Sequence, residues 1–226
     1  MSTLLIRLIG PMQSWGGKSA FEQRGTLPEP SKSGVIGLLC AALGRDRSEP
    51  LDDLCALKMG VRIDSAGELQ FDFQTALNVA KADGGKGDTQ LSKRAYLSDA
   101  AFWVALEGDK ALLSQLQQAL LNPVWPLFLG RKSYLPSYPI VDSENALVEV
   151  GLQTALQQAP RIQFSEATSS QGQNPYRKCV VETDELEFSE QRQDVPSSFE
   201  VEKRSFSFRR VLNTWLEVTA KEVLYV

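Results

Sequence analysis

The chain has 226 residues, 24 basic and 28 acidic side chains, a net charge of −4 and no histidine. Its size suits one large domain, and 42% apolar against 23% charged residues is an ordinary globular balance that sets aside disordered and fibrous classes. Without imidazole, Ser-His-Asp and Cys-His nucleophile systems and His-ligated zinc are excluded, while the acidic balance on its face speaks against a nucleic-acid partner.

Residues 4–9 (LLIRLI) predict a buried first strand ended by Gly10-Pro11 rather than a signal peptide, and no later run approaches a membrane span. A loop rich in Gly, Pro, Ser and Gln runs to about Pro30. Ser31-Lys32-Ser33-Gly34 then caps an apolar helix that stops at Gly44. Residues 51–57 read as a second short helix. Residues 59–64 and 69–75 alternate and predict a hairpin around Ser65-Ala66-Gly67.

Between Ala80 and Arg94 the apolar residues almost vanish, which fits a mobile loop or the tip of a projecting hairpin. Residues 101–106 (AFWVAL) resume as a buried strand. Residues 109–121 form an amphipathic helix with an acidic start and a stop at Asn122-Pro123. The order strand, helix, strand, strand, helix is α+β and matches the β-α-β-β-α-β ferredoxin-like plan shared by RNA-recognition folds.

Past Ile140 the pattern weakens. Residues 144–158 predict a glutamine-rich helix, residues 161–226 carry strand-like runs such as KCVVET and FSFRRVLNTWLEV, and residues 182–190 are an acidic block. No repeat or linker marks a second domain. Cys40, Cys55 and Cys179 lack a C-x-x-C pair and predict reduced thiols in a cytoplasmic protein.

Four segments combine cations with glycine, serine or aromatic residues. Gly17-Lys18-Ser19 ends like a P-loop, but the spacing requires glycine where Met12 stands, and no helix follows. What remains is a turn with Gln13, Trp15, Gly16 and Lys18, where Trp15 is either an exposed stacking residue or a ring tucked over the core edge. Ser31, Lys32 and Ser33 join two hydroxyls, a cation and the free amides of a helix start. Capping explains the serines, whereas a cation in the first turn is unfavourable unless an anion is bound.

Gly130-Arg131-Lys132-Ser133 is a loop where glycine permits close approach and the cations suit phosphate. Lys203 to Arg210 interleaves cations with Phe206 and Phe208, which fits base stacking or an ordinary strand with one face inward. Residues 1–44, 126–140 and 203–210 together hold ten cations against two acids, a net of +8, leaving −12 for the remainder of the −4 chain.

These segments resemble the CasD family of type I-E CRISPR Cascade subunits, within the RAMP superfamily. The likeness rests on LLIRLIGPMQSWGG at 4–17, Phe21-Glu22, SKSGVIGLLCAALG at 31–44, RAYLSDAAF at 94–102, PLFLGRKSYLPSYP at 126–139 and Arg204-x-Phe206-x-x-Arg209. It implies one RAMP-type domain over 1–226: a ferredoxin-like, RNA-recognition-like palm, an inserted β-hairpin thumb at 74–97, and a C-terminal β-rich extension at 141–226 packed on the palm.

The resemblance implies a subunit that binds RNA without catalysing a reaction and needs no metal or cofactor. It would hold the 5′ handle of the guide RNA, displace a nucleotide near the handle–spacer junction, and cap a CasC-type filament beside a CasA-type large subunit. Target DNA would be met only through the complex. The handle face would comprise Gln13, Trp15, Gly16, Lys18, Ser31, Lys32, Ser33, Gly130, Arg131, Lys132 and Ser133. Arg94 matches a basic thumb position, and Arg204 and Arg209 belong to the C-terminal element.

The chain departs from the family pattern in a short, glycine-rich thumb tip (Gly84-Gly85-Lys86-Gly87) and in its acidic C-terminal block. The competing reading is a metal-independent endoribonuclease, as in type I-C relatives. Such cleavage commonly takes histidine as the base for the 2′-hydroxyl, and here only a pair such as Tyr134 with Lys132 stands in its place.

Overall fold

The computed structural model describes residues 1–16, 23–80, 84–85, 87–164 and 174–226. In chain order the elements begin β1 (Ser2–Gln13), β2 (Gln23–Arg24), α1 (Lys32–Leu43), α2 (Asp52–Cys55), β3 (Lys58–Ser65), β4 (Glu68–Val79) and β5 (Asp88–Gly108). They continue α3 (Lys110–Leu121), β6 (Leu147–Val148), α4 (Leu152–Gln158), β7 (Arg161–Gln163), β8 (Tyr176–Glu182), β9 (Ser189–Ser198), β10 (Ser205–Glu217) and β11 (Val223–Tyr225). The architecture is α+β. One large sheet runs β6-β1-β5-β3-β8-β10-β9, with β2 and β4 flanking the first half of β5, and β7 pairs with β11.

Alternating side chains build two cores. Leu4, Ile6 and Leu8 of β1 share one face with Phe102, Val104 and Leu106 of β5, under α1 and α3. Leu5 and Ile9 share the other with Ala101, Trp103 and Ala105, under Leu152, Ala155 and Leu156 of α4. Covered on both faces, these strands read as continuous apolar runs. Local chemistry sets the helix ends. The Ser31 hydroxyl accepts from Gly34 N at 3.2 Å, Gly44 closes α1 in the left-handed region at φ 73°, and Asp109 caps α3 by accepting from Leu112 N at 3.0 Å.

Three sequence expectations change. The first strand does not end at Gly10-Pro11 but continues to Gln13, because Gly10 leaves room for the Leu135 carbonyl, 2.9 Å from where a Cβ would stand. Residues 59–64 and 69–75 do not pair with each other. Both pair with β5, end to end, since Gly67 at φ 66° presses the chain against Ser98 instead of folding it back on β3. The helix expected over 144–158 shortens to α4. Its first half instead pairs with the β1 edge, where Thr3 Oγ1 donates to Val150 O at 2.7 Å.

The C-terminal strands extend the same sheet through β8, whose Cys179 to Val181 pair with Gly60 to Arg62 of β3. Beside that joint, Arg62 is fully buried and forked onto Asp64 at 2.7 and 2.8 Å, and it also donates to the Ala159 and Pro160 carbonyls that end α4. Among the described residues, no helix is long and apolar enough to cross a membrane.

Candidate nucleic-acid interface

The end of β1, β2, the middle of β5 and the 128–134 loop meet at one place. Ser14 N donates to Leu129 O at 3.1 Å and Ser14 Oγ to Ala95 O at 3.4 Å, tying loop and strand together. Gly130, at φ 92°, makes that approach possible: a Cβ there would stand 1.7 Å from the Ser14 carbonyl oxygen. Beyond the glycine, Arg131 donates to Tyr134 Oη at 2.8 Å, lies 5.4 Å from the centre of its ring, and reaches the Arg24 carbonyl at 3.4 Å. Arg24 is in register with Arg94, whose Nε donates to Ser92 Oγ at 3.2 Å. Lys132 and Ser133 are exposed.

Arg24, Arg94, Arg131 and Lys132 therefore gather from three distant segments, and among the described residues none of them forms an ion pair. Such a surface favours anions, and phosphate above all, because guanidinium forks match phosphate oxygens. Tyr96 and Tyr134, with rings 6.0 Å apart, form the floor between strand and loop.

Other expected site residues lie elsewhere. Trp15 is 1% exposed, so the exposed reading of this ring is corrected: its indole N–H donates to Gln13 Oε1 at 3.1 Å, and Gly34 leaves room for its six-membered ring. Gln13 is equally buried and donates to Leu8 O and Ala100 O at 3.1 and 2.7 Å. The pair seals the core edge. Gly16 remains exposed above Ser31, while Lys18 and Phe21-Glu22 lie outside the described residues, as do residues 81–83 and Lys86 of the hairpin tip.

The helix start holds an anion, but the anion belongs to the chain. Lys32 N donates to Asp194 Oδ2 at 2.8 Å, and Lys32 Nζ donates to both Glu182 oxygens at 3.0 Å. Arg209 forks onto Asp194 at 2.7 and 2.9 Å and lies 3.4 Å from Glu182. Lys32 and Arg209 are 2% and 7% exposed, so both are corrected from RNA contacts to buried counter-ions. Ser31 is buried as the cap and Ser33 half-buried beside it, their hydroxyls 3.3 Å apart. Arg204 is exposed over the Phe206 ring at 5.4 Å, apart from the Arg131 group.

Sequence reasoning did not single out Arg24 or Lys93. Arg24 was legible only as a charge, since its role depends on β2 lying beside β5. Lys93 sits over Phe71 at 4.0 Å and near Phe73 at 5.9 Å, because the β4–β5 register places all three on one face of an exposed hairpin. Burial pushes the Cys40 thiol up to about 11 and Cys179 up to about 12, so neither forms a thiolate near neutrality. The Tyr134 hydroxyl oxygen accepts from Arg131.

The family described as CRISPR-associated protein (Cas_Cas5) matches residues 3–212. The chain belongs to that family. It is 35% identical, over 156 residues, to the "CRISPR system Cascade subunit CasD" of Escherichia coli (strain K12), covering 62% of this chain and 69% of that one. Among solved structures it is similar to one titled "Crystal structure of Cas protein", with 42% identity and a TM-score of 0.76 over 96% of this chain and 95% of that one. It is also similar to a chain of a "CRISPR RNA-guided surveillance complex", at 34% identity and a TM-score of 0.79, covering 98% and 92% of the two chains.

Proposed function

We propose that this chain is a non-catalytic RNA-holding subunit of a Cascade-type CRISPR surveillance complex in antiviral defence. The observation that carries the reading is the convergence of Arg24, Arg94, Arg131 and Lys132 beside a glycine-bearing loop. The names of its relatives, a Cascade subunit and an RNA-guided surveillance complex, support the assignment.

In this reading β6, β1, β5 and β3 with α1 and α3 are a ferredoxin-like palm. The β4–β5 hairpin is the thumb, and β8 to β10 are an extension of the one domain. The cations hold the 5′ handle of the guide RNA between palm and thumb, with Gly16 and Ser133 at the margins, while Arg204 offers a separate exposed cation. The chain caps a CasC-type filament next to a CasA-type subunit in the cytoplasm, and target DNA is reached through the assembled complex.

Single-stranded RNA binding at such a site draws affinity from phosphate contacts. Arg131→Glu with Lys132→Glu is expected to weaken binding to a short RNA copied from the cognate CRISPR repeat, and to lower the salt-dependence slope by about 0.7 per lost contact. Unchanged binding would discard the site. Precursor RNA incubated with the full chain in EDTA is expected to stay intact, and a discrete cleaved product would overturn the non-catalytic assignment. Co-expression with the other subunits and guide RNA is expected to yield a ribonucleoprotein that does not form without this chain.

A further inference from the structure

The Arg131 group lies on the N-terminal two-thirds of the chain, yet the segment that carries Arg24 is anchored by the C-terminal third. Between Arg24 and α1, Glu29 is 2% exposed and paired with Arg192 of β9. Three residues on, Lys32 is held by Asp194 of β9 and Glu182 of β8, and Arg209 of β10 closes the network on both carboxylates. Glu182 Oε2 also accepts from Met59 N at 3.2 Å, tying the same point to β3.

On the other side of that anchor, Trp15 N donates to Thr26 Oγ1 at 2.8 Å and Leu27 bridges back to Trp15. The short run 24–27 is thus stretched between the Trp15 turn and two buried ionic ties. Its leading residue, Arg24, accepts from Arg131 and aligns with Arg94.

We infer that Glu29, Glu182 and Asp194 are positioning residues for RNA binding: from outside the phosphate-binding face, they fix the run that carries Arg24. This rests on the RNA-holding reading above. The network contains four carboxylates, Glu29, Glu182, Glu190 and Asp194, against three cations, Lys32, Arg192 and Arg209, so it has no surplus positive charge for a phosphate. Its contribution to RNA is geometric.

The sign of the effect separates positioning from charge. Removing acidic side chains from an RNA-binding protein strengthens binding when charge alone matters, because repulsion of phosphates is relieved. Positioning demands the reverse. The full-length Glu182→Gln/Asp194→Asn variant keeps the side-chain volumes but sets amide NH2 groups against the N–H donors of Lys32 and Arg209, and Glu29→Gln breaks the tie to Arg192, which is 20% exposed and keeps Glu190 as a partner.

Each folded variant is expected to bind the repeat-derived single-stranded RNA at least about threefold more weakly than the parent chain. A scrambled RNA and the thermal midpoint are recorded alongside. Equal or tighter binding by a folded variant overturns the inference, and if the double variant does not fold, Glu29→Gln decides alone. If the parent chain itself does not bind the RNA, the RNA-holding reading fails instead.

Discussion

Two sets of cations flank the same turns, and their partners divide their roles. Lys32 and Arg209 are buried and matched by Glu182 and Asp194, whereas Arg24, Arg94, Arg131 and Lys132 end on a hydroxyl, a carbonyl, a ring or open solvent. A buried cation with a carboxylate at 3 Å has no attraction to spare for a phosphate. A solvated cation without one does. Local charge density in a sequence does not distinguish the two, because the deciding carboxylates lie on other elements, 150 residues away from Lys32 to Glu182 and 15 and 27 residues away from Arg209 to Asp194 and Glu182.

The widest separation between the sets should appear in stability. Arg209→Ala leaves two carboxylates facing Lys32 alone in a buried site, and breaking one side of such a network costs about 3–5 kcal/mol. Lys132→Ala removes an exposed side chain and should change stability by no more than about 0.5 kcal/mol. Urea unfolding of both variants measures the contrast. Losses of similar size would erase the distinction between the sets.

A smaller effect is expected where the exposed set meets its scaffold. Gly130→Ala places a methyl group against the Ser14 carbonyl at a left-handed φ of 92°. The loop must shift, at a cost of about 2 kcal/mol in backbone strain and lost packing. Because Arg131 and Lys132 move with the loop, RNA binding should weaken although no charge has changed. A variant with unchanged stability and unchanged RNA affinity would show that the close approach is dispensable.

The parts of this molecule that local rules govern were legible in the sequence. The Ser31 cap, the Gly44 stop, the Asp109 cap and the apolar strand over 101–106 each depend on neighbours within a few residues. What escaped depends on partners far off in sequence. Alternation in 69–75 identified a strand but gave it the wrong partner, 59–64 in place of β5, since Gly67 at φ 66° lies close against Ser98 and leads the chain on along β5.

The same division holds for the site. A cation in the first turn of α1 read as the sign of a bound anion, but the anions are the chain's own Asp194 and Glu182, which nothing near Lys32 revealed. Trp15 and Gln13 are polar-tipped groups in a glycine-rich turn, a pattern that fits either an exposed ring or one tucked over the core edge. Their mutual hydrogen bond is what allows both to be buried.

The smallest and most specific test concerns acid. Burial alone would raise the Asp194 carboxyl, but the Arg209 hydrogen bonds and charge, with the Lys32 N–H, outweigh it and hold the group below its ordinary value. A carboxyl lower in the folded than in the unfolded chain contributes stability above the unfolded value, about 3.9, and loses it as pH falls through the folded value. Part of the stability should therefore disappear below about pH 4. Asp53 and Asp142 are also held low and add to the acid loss in every variant, so the informative quantity is a difference. In Arg209→Ala only the Lys32 N–H and the more distant Arg192 charge still oppose burial, and the share of the acid loss due to Asp194 should shrink. Lys132→Ala should retain it in full, because no carboxylate of the network touches that side chain. Identical acid limbs for the two variants would mean that Asp194 is not held low by its buried partner, and the contrast between matched and unmatched cations would lose its electrostatic basis.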